Sequence, residues 1–254
     1  MTDIKQLRVC GIYLLPNLFT ISAMFSGFYA IVAAIKGHYE MSAIAIFVAL
    51  IMDGLDGRIA RLLHAQSEFG VQLDSLSDMV SFGITPALVM YTWSLNVVGK
   101  LGWLTAFIYT ACTALRLARF NVQVKKVDRL YFQGLPTPSA AALVASIVLL
   151  CNAYHIAGEA IAFPLLIAAV FLGLLKVSTI RYRSFKDFNL YNRIPFVVIL
   201  SVILILALVS FDPPDTLLFL CFIYVISGPI TTLWSLCNKS WQKKKQLKVK
   251  KRSH

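Results

Sequence analysis

Asp53, Asp56, Asp74 and Asp78 crowd into one stretch, "MDGLDGRIARLLHAQSEFGVQLDSLSDMV" (52–80), with apolar runs of membrane-span length on both sides. Asp53 and Asp56 are three residues apart and Asp74 and Asp78 four apart, so on helices each pair shares a face. The short polar connection "HAQSEFG" brings the two helix ends together and lets the four carboxylates converge. Carboxylates held this close repel, and some would be forced to take a proton. A divalent cation removes the conflict, and Mg2+ and Mn2+ prefer oxygen ligands. Two such ions held by shared carboxylates form the clamp used for in-line displacement at phosphorus. The neighbours suit that chemistry. Gly54, Gly57 and Ala60 clear a stripe beside the carboxylates, so a ligand or another helix can approach the backbone. Arg61, about a turn further on, is placed to pair with a phosphate. Gly70 is expected to let the chain turn into the second helix. Ionisable clusters at membrane depth or beside it mark function.

The elements that must hold these aspartates are membrane helices. Of the 254 residues, 58% are hydrophobic and only 14% are charged, with a mean hydropathy of +0.73. An average soluble domain has about 25% charged residues. The expected fold class is an all-α polytopic membrane protein with about eight transmembrane helices. The spans run roughly 11–35, 41–62, 72–96, 98–120, 136–154, 158–177, 195–211 and 215–237, each near the ~20 residues needed to cross the hydrocarbon. The first is too long for the apolar region of a signal peptide and is read as retained. The expected organisation is a single transmembrane catalytic domain over 1–237 and a basic cytoplasmic tail over 238–254. The five cysteines are scattered and read as apolar fillers, and the four histidines are too far apart for a zinc site.

Net charge is +12, but the basic residues sit between or after spans, so no nucleic-acid partner is implied. With alternate connections assigned to alternate sides, one side receives all but two of the 24 lysines and arginines; the exceptions are Lys36 and Lys100. That bias makes the chain an integral cell-membrane protein with both termini, and the aspartates, on the cytoplasmic side. The tail "KSWQKKKQLKVKKRSH" reads as a topology anchor with some attraction for anionic lipid.

The spacing D-x2-D-G-x2-A-R-x8-G-x3-D-x3-D resembles the signature of the CDP-alcohol phosphotransferase family at every position. The resemblance implies a helical-bundle membrane enzyme with a six-helix core, usually a homodimer, that transfers a phospho-group from a CDP-linked lipid to an alcohol and releases CMP. Carried over residue by residue, it makes Asp53, Asp56 and Asp74 metal ligands, and Asp78 a ligand of the second metal and the general base. It lays Gly57, Ala60, Arg61 and Gly70 along the CDP moiety. The upstream "LPNLFT" is similar to the family's opening segment, which implies that Asn17 and Thr20 face the nucleotide.

Three further stretches bear on the alcohol. "RLARFN" (116–121) puts Arg116, Arg119 and Asn121 at the cytoplasmic end of the fourth span, level with the aspartates. In "FQGLPTP" (132–138), Thr137 is expected to cap the fifth span with Pro138 at its first helical position, and Ser139 to Ala142 allow close helix packing. "YRSFKDF" (182–188) adds Arg183 and Lys186. Together these stretches resemble the membrane-embedded phosphatidylserine synthases, a branch of the family. That resemblance implies CDP-diacylglycerol and L-serine as substrates, with membrane lipid around them and two Mg2+ or Mn2+ ions. Arg116, Arg119, Asn121 and Lys186 are the candidate acceptor-binding residues, because the serine carboxylate needs a cation. Two other readings stay open here. One is a sister enzyme using glycerol 3-phosphate or inositol phosphate. The other is a membrane cation transporter, though transporters usually place their ion site at the bilayer midplane between repeats, and no repeat is visible.

Overall fold

Long apolar runs broken by short polar connections fold as helices, because a helix satisfies its own backbone where water cannot. A computed structural model describes residues 2–123, 131–183 and 196–250. The helices among them are α1 (Thr2–Ile35), α2 (Tyr39–Leu62), α3 (Glu68–Asp78), α4 (Thr85–Trp93), α5 (Lys100–Gln123), α6 (Thr137–Ala153), α7 (Ala162–Val177), α8 (Phe196–Phe211) and α9 (Pro213–Lys250). A π-helical turn, Met79–Ile84, joins α3 to α4 without a break, and single 3-10 turns precede α5 and α7.

Each expected apolar run falls on helix, but the third does not fold as one regular span. Residues 72–96 divide into α3, the π-helical turn, α4 and the start of a 3-10 turn. Among the described residues, four helical stretches are long and apolar enough to cross a membrane: Leu14–Ile35, Lys100–Val122, Gly158–Val177 and Pro213–Thr232; Thr137–Ala153 is apolar but shorter. The chain is thus an α-helical membrane protein. The strictly all-α expectation is also modified by a small ribbon. β1 (Tyr131–Gln133) pairs antiparallel with β2 (Arg181–Arg183), with Phe132 opposite Tyr182.

Packing explains the order of the bundle. α1 lies along α2, α5 along α7, and α6 against both α2 and α9. The faces that meet are lined by small residues, among them Ala30, Ala34, Ala43, Ala45 and Ala49, which let backbones come close. Hydroxyls then bond across the gap. Ser26 donates to the Ala45 carbonyl and Ser42 to that of Ala30, both at 2.8 Å. The outward faces carry Leu18, Phe25, Phe28, Trp103, Phe107, Phe219 and Phe222 exposed, as a lipid-facing surface requires. Cys112 and Cys151 are buried free thiols, in keeping with apolar fillers.

One crossing needs glycine. The chain leaving β1 runs over the C-terminal end of α7, where Gly134 N donates to Ile180 O at 2.8 Å and Leu135 N to Leu175 O at 3.0 Å. Gly134 takes φ +81°, and a Cβ there would overlap the Lys176 carbonyl. The "QGLP" of the sequence is therefore the point where one segment passes over the end of a helix.

Candidate active site

The last turns of α2 and the whole of α3 carry the aspartates. α2 closes with His64 in the left-handed region (φ 52°) and Ala65 N donating to Ala60 O at 2.9 Å. Ser67 then caps α3 by accepting from Gly70 N at 3.0 Å. Gly70 is inside α3 and is not the turn residue expected; His64 makes the turn instead. The bareness of Gly70 has another use, since a Cβ would stand 3.3 Å from Asn17 Oδ1.

This hairpin brings three aspartates together. Asp53, Asp56 and Asp74 each offer a carboxylate oxygen, and these lie within 4.8 Å of one another. Oxygens that share one Mg2+ at bond lengths of about 2.1 Å sit up to roughly 4.2 Å apart. The triad is therefore a small side-chain adjustment from coordinating, and its hard anionic donors fit a divalent cation. Asp56 is the buried member, 6% exposed. Thr20 of α1 holds it, donating to Oδ2 at 2.7 Å. Thr20 is itself buried, so its hydroxyl serves Asp56. Asp78, the last residue of α3, stands beside the triad, hydrogen-bonded to Asp53 and repelled by Asp74.

A ladder of hydroxyls sets the height of α3 against α1. Ser77 donates to Thr20 O at 3.0 Å, Ser81 to Ala23 O at 3.1 Å and Thr85 to Gly27 O at 3.0 Å. The π-helical turn occupies the middle of this ladder and begins directly after Asp78. Such widened turns recur at functional sites. Here it lets Ser81 and Thr85 stay on the α1 side while the chain continues into α4.

On the other side of the last turns of α2, Gly54 has open space where a side chain would be, and the Arg61 guanidinium lies 3.8 Å from the Cβ position of Gly57. Arg61 and Gly54 are exposed, while Gly57 and Ala60 are half-buried. The other cations divide by task. Arg119 donates to the Val177 carbonyl at 3.3 Å, closing the C-terminal end of α7. Asn121 Nδ2 donates at 3.0 Å to Ser75, next to Asp74. Arg116 donates to the Thr137 hydroxyl at 3.4 Å and attracts Asp78. Thr137 is therefore not a cap: Pro136 holds that position, and Thr137 opens the helix with Pro138 second. Lys186 lies outside the described residues.

Two residues of the site region carried no signal in the sequence beyond charge or aromaticity. Lys176 counts there only toward the charge bias, yet it is 1% exposed; its Nζ donates to Thr113 at 2.7 Å and lies 3.2 Å from the Tyr109 ring centroid. Tyr224, on α9, is hydrogen-bonded to Ser139 and interacts with Arg116. The ring of Tyr182 of β2 packs against that of Tyr224 at a tilt of 38° with centroids 5.9 Å apart, and its hydroxyl donates to Val225 O at 3.0 Å. Burial pushes the Tyr182 phenol up to about 12, so it remains a neutral donor near pH 7.

The chain is similar to proteins of known activity over much of its length. Residues 13–175 match the family model described as CDP-alcohol phosphatidyltransferase. A CDP-diacylglycerol–serine O-phosphatidyltransferase of Helicobacter pylori (strain ATCC 700392 / 26695) is 37% identical over 234 residues, 92% of this chain and 97% of the relative. Proteins of the same name from Methanocaldococcus jannaschii and Bacillus subtilis are 40% and 33% identical, covering 73% and 68% of this chain and 81% and 91% of their own.

Proposed function

The chain belongs to the CDP-alcohol phosphatidyltransferase family, and on that premise we propose that it transfers the phosphatidyl group of CDP-diacylglycerol to L-serine, giving phosphatidylserine and CMP. The observation that carries this reading is the convergence of Asp53, Asp56 and Asp74 beside Asp78. The acceptor follows the activity for which relatives from three organisms are named.

Asp53, Asp56 and Asp74 would hold the divalent cations, Mg2+ or Mn2+, with Asp78 as a further ligand. When bound, such ions neutralise charge on the diphosphate and on the departing CMP. The protein's own groups do the rest. Arg61 and the cleared surface at Gly54 and Gly57 receive the CDP diphosphate, with Ala60, Gly70 and Asn17 alongside. Thr20 fixes the carboxylate of Asp56. Asp78 takes the proton of the serine hydroxyl as its oxygen forms a bond to the phosphatidyl phosphorus, and the bond from that phosphorus to CMP breaks. Arg116 and Asn121 form the acceptor side, with Arg119 supporting it from its bond to Val177 O and Lys186 a further candidate. No residue at the site calls for a covalent intermediate.

The same reading gives about eight membrane-associated helical segments in one catalytic domain over 1–237, a basic tail over 238–254, both termini and the site on the cytoplasmic side, and a homodimer. The decisive experiment is CMP release by the purified chain with CDP-diacylglycerol, across alcohols and metals. Serine with Mg2+ or Mn2+ should be fastest. Faster release with glycerol 3-phosphate or inositol phosphate would overturn the acceptor, and no metal-dependent release with any alcohol would overturn the transferase reading.

A further inference from the structure

Among the described residues, two side-chain polar atoms are buried without a hydrogen-bond partner: Oδ1 of Asp78 and Nε of Arg116. They belong to opposite charges that attract one another. Yet Arg116's bond runs to Thr137 and that of Asp78 to Asp53. An unsatisfied donor and an unsatisfied acceptor, both buried, are costly features that a bound molecule can relieve. A cation held by Asp78 would also answer its Oδ1, but Nε of Arg116 still asks for an acceptor, which an anionic oxygen of a bound molecule supplies while its hydroxyl lies toward Asp78.

The surroundings narrow it further. Thr137 and Ser139 open α6 on the Arg116 side, and Tyr224 of α9 is bonded to Ser139 and interacts with Arg116. Tyr224 is held from behind. Tyr182 packs against it with its ring tilted and bonds the next residue's carbonyl, and Gly228 is bare because a Cβ there would overlap the Tyr182 ring. The other nearby cations have work of their own, Arg119 on Val177 O and Lys176 on Thr113 and Tyr109. Among the described residues this leaves one guanidinium beside neutral hydroxyls, which suits a carboxylate, whereas a phosphate-bearing acceptor would ask for several convergent cations.

Resting on transfer to serine as read above, we propose that the acceptor sits between Asp78 and Arg116, with Arg116 binding its carboxylate and Tyr224 of α9 selecting for its size and polarity. α9 lies beyond residues 13–175, the part matched by the family model. It therefore supplies a specificity residue from outside the shared core.

The test compares L-serine with L-serinamide, which keeps the hydroxyl and the amine but lacks the carboxylate. Both kcat/KM values are taken on the same preparation, so the folded fraction cancels in their ratio. The wild type should favour serine strongly. Arg116→Gln should cut that ratio by roughly 10- to 100-fold, the loss expected for a hydrogen bond to a charged group. Arg116→Lys keeps the charge without the Nε donor and should fall between the two. Tyr224→Phe should raise KM for serine severalfold and leave KM for CDP-diacylglycerol within about twofold. As a reading independent of turnover, the upward shift in Tm that serine gives the wild type should vanish in Arg116→Gln. If Arg116→Gln does not yield a monodisperse protein, Arg116→Lys decides by the same ratio. A wild-type ratio in the folded Arg116 variant, or an unchanged serine KM in Tyr224→Phe, overturns the proposal. A wild type that transfers to other alcohols but not to serine overturns the serine reading instead.

Discussion

Asp56 and Asp78 are both carboxylates at one site, yet their neighbours give them different work. Asp56 is buried and receives the Thr20 hydroxyl at 2.7 Å, which locks its orientation. Supporting hydrogen bonds of this kind are typically worth 10- to 100-fold in metal affinity. Thr20→Val should therefore raise the metal concentration for half-maximal CMP release by about that factor. Activity should return at high metal, and calorimetric titration of Mg2+ or Mn2+ should show the same weakening. Asp74→Asn, by contrast, removes a ligand charge and should nearly abolish turnover at any metal concentration; wild-type activity in that variant would dissolve the triad assignment. Asp78 keeps one oxygen unpartnered, as a base awaiting a proton would. Asp78→Asn should lower kcat far more than it weakens CDP-diacylglycerol binding, measured by turnover and by lipid binding on the same protein.

At the scale of elements, the crossing at Gly134 is the most exacting. Gly134→Ala imposes a Cβ at φ +81° against the Lys176 carbonyl. Strain at such a position costs on the order of 1–3 kcal/mol, so Tm in detergent should drop by several degrees. Because Lys176 and Leu135 are tied to that crossing, serine KM should change with it. Helix positions were readable from hydropathy alone, since burial in lipid needs long apolar runs. The break after Asp78 was not, because apolar residues continue unchanged through it. What widens that turn is the fit of Ser77, Ser81 and Thr85 to carbonyls of α1, a tertiary match with no local pattern. The ribbon was invisible for a related reason: three-residue strands carry no periodicity, and β1 and β2 meet only across α6 and α7. The aspartates were readable because helical spacing places carboxylates on one face whatever surrounds them. Lys176 and Tyr224 were not, because each sits in or beside an apolar run and meets the site only through folding.

For the whole molecule, the distribution of lysine and arginine is the strongest statement about sidedness. Ser67 caps α3, the helix that carries Asp74 and Asp78. A cysteine there, in a cysteine-free background, should resist an impermeant thiol reagent applied to intact cells and react once the membrane is opened. Labelling from outside would reverse the orientation. The hydroxyl ladder carries a temporal implication. Thr20, the four aspartates and Ser77, Ser81 and Thr85 all lie within the first 85 residues, about a third of the chain, whereas Tyr224 belongs to α9. Chains begin to fold from the N-terminus as they are made. A nascent chain on the ribosome can thus assemble the cation-holding half of its site early. It acquires the selective wall for its alcohol only when α9 inserts, so half-made molecules would hold metal without being able to choose an acceptor.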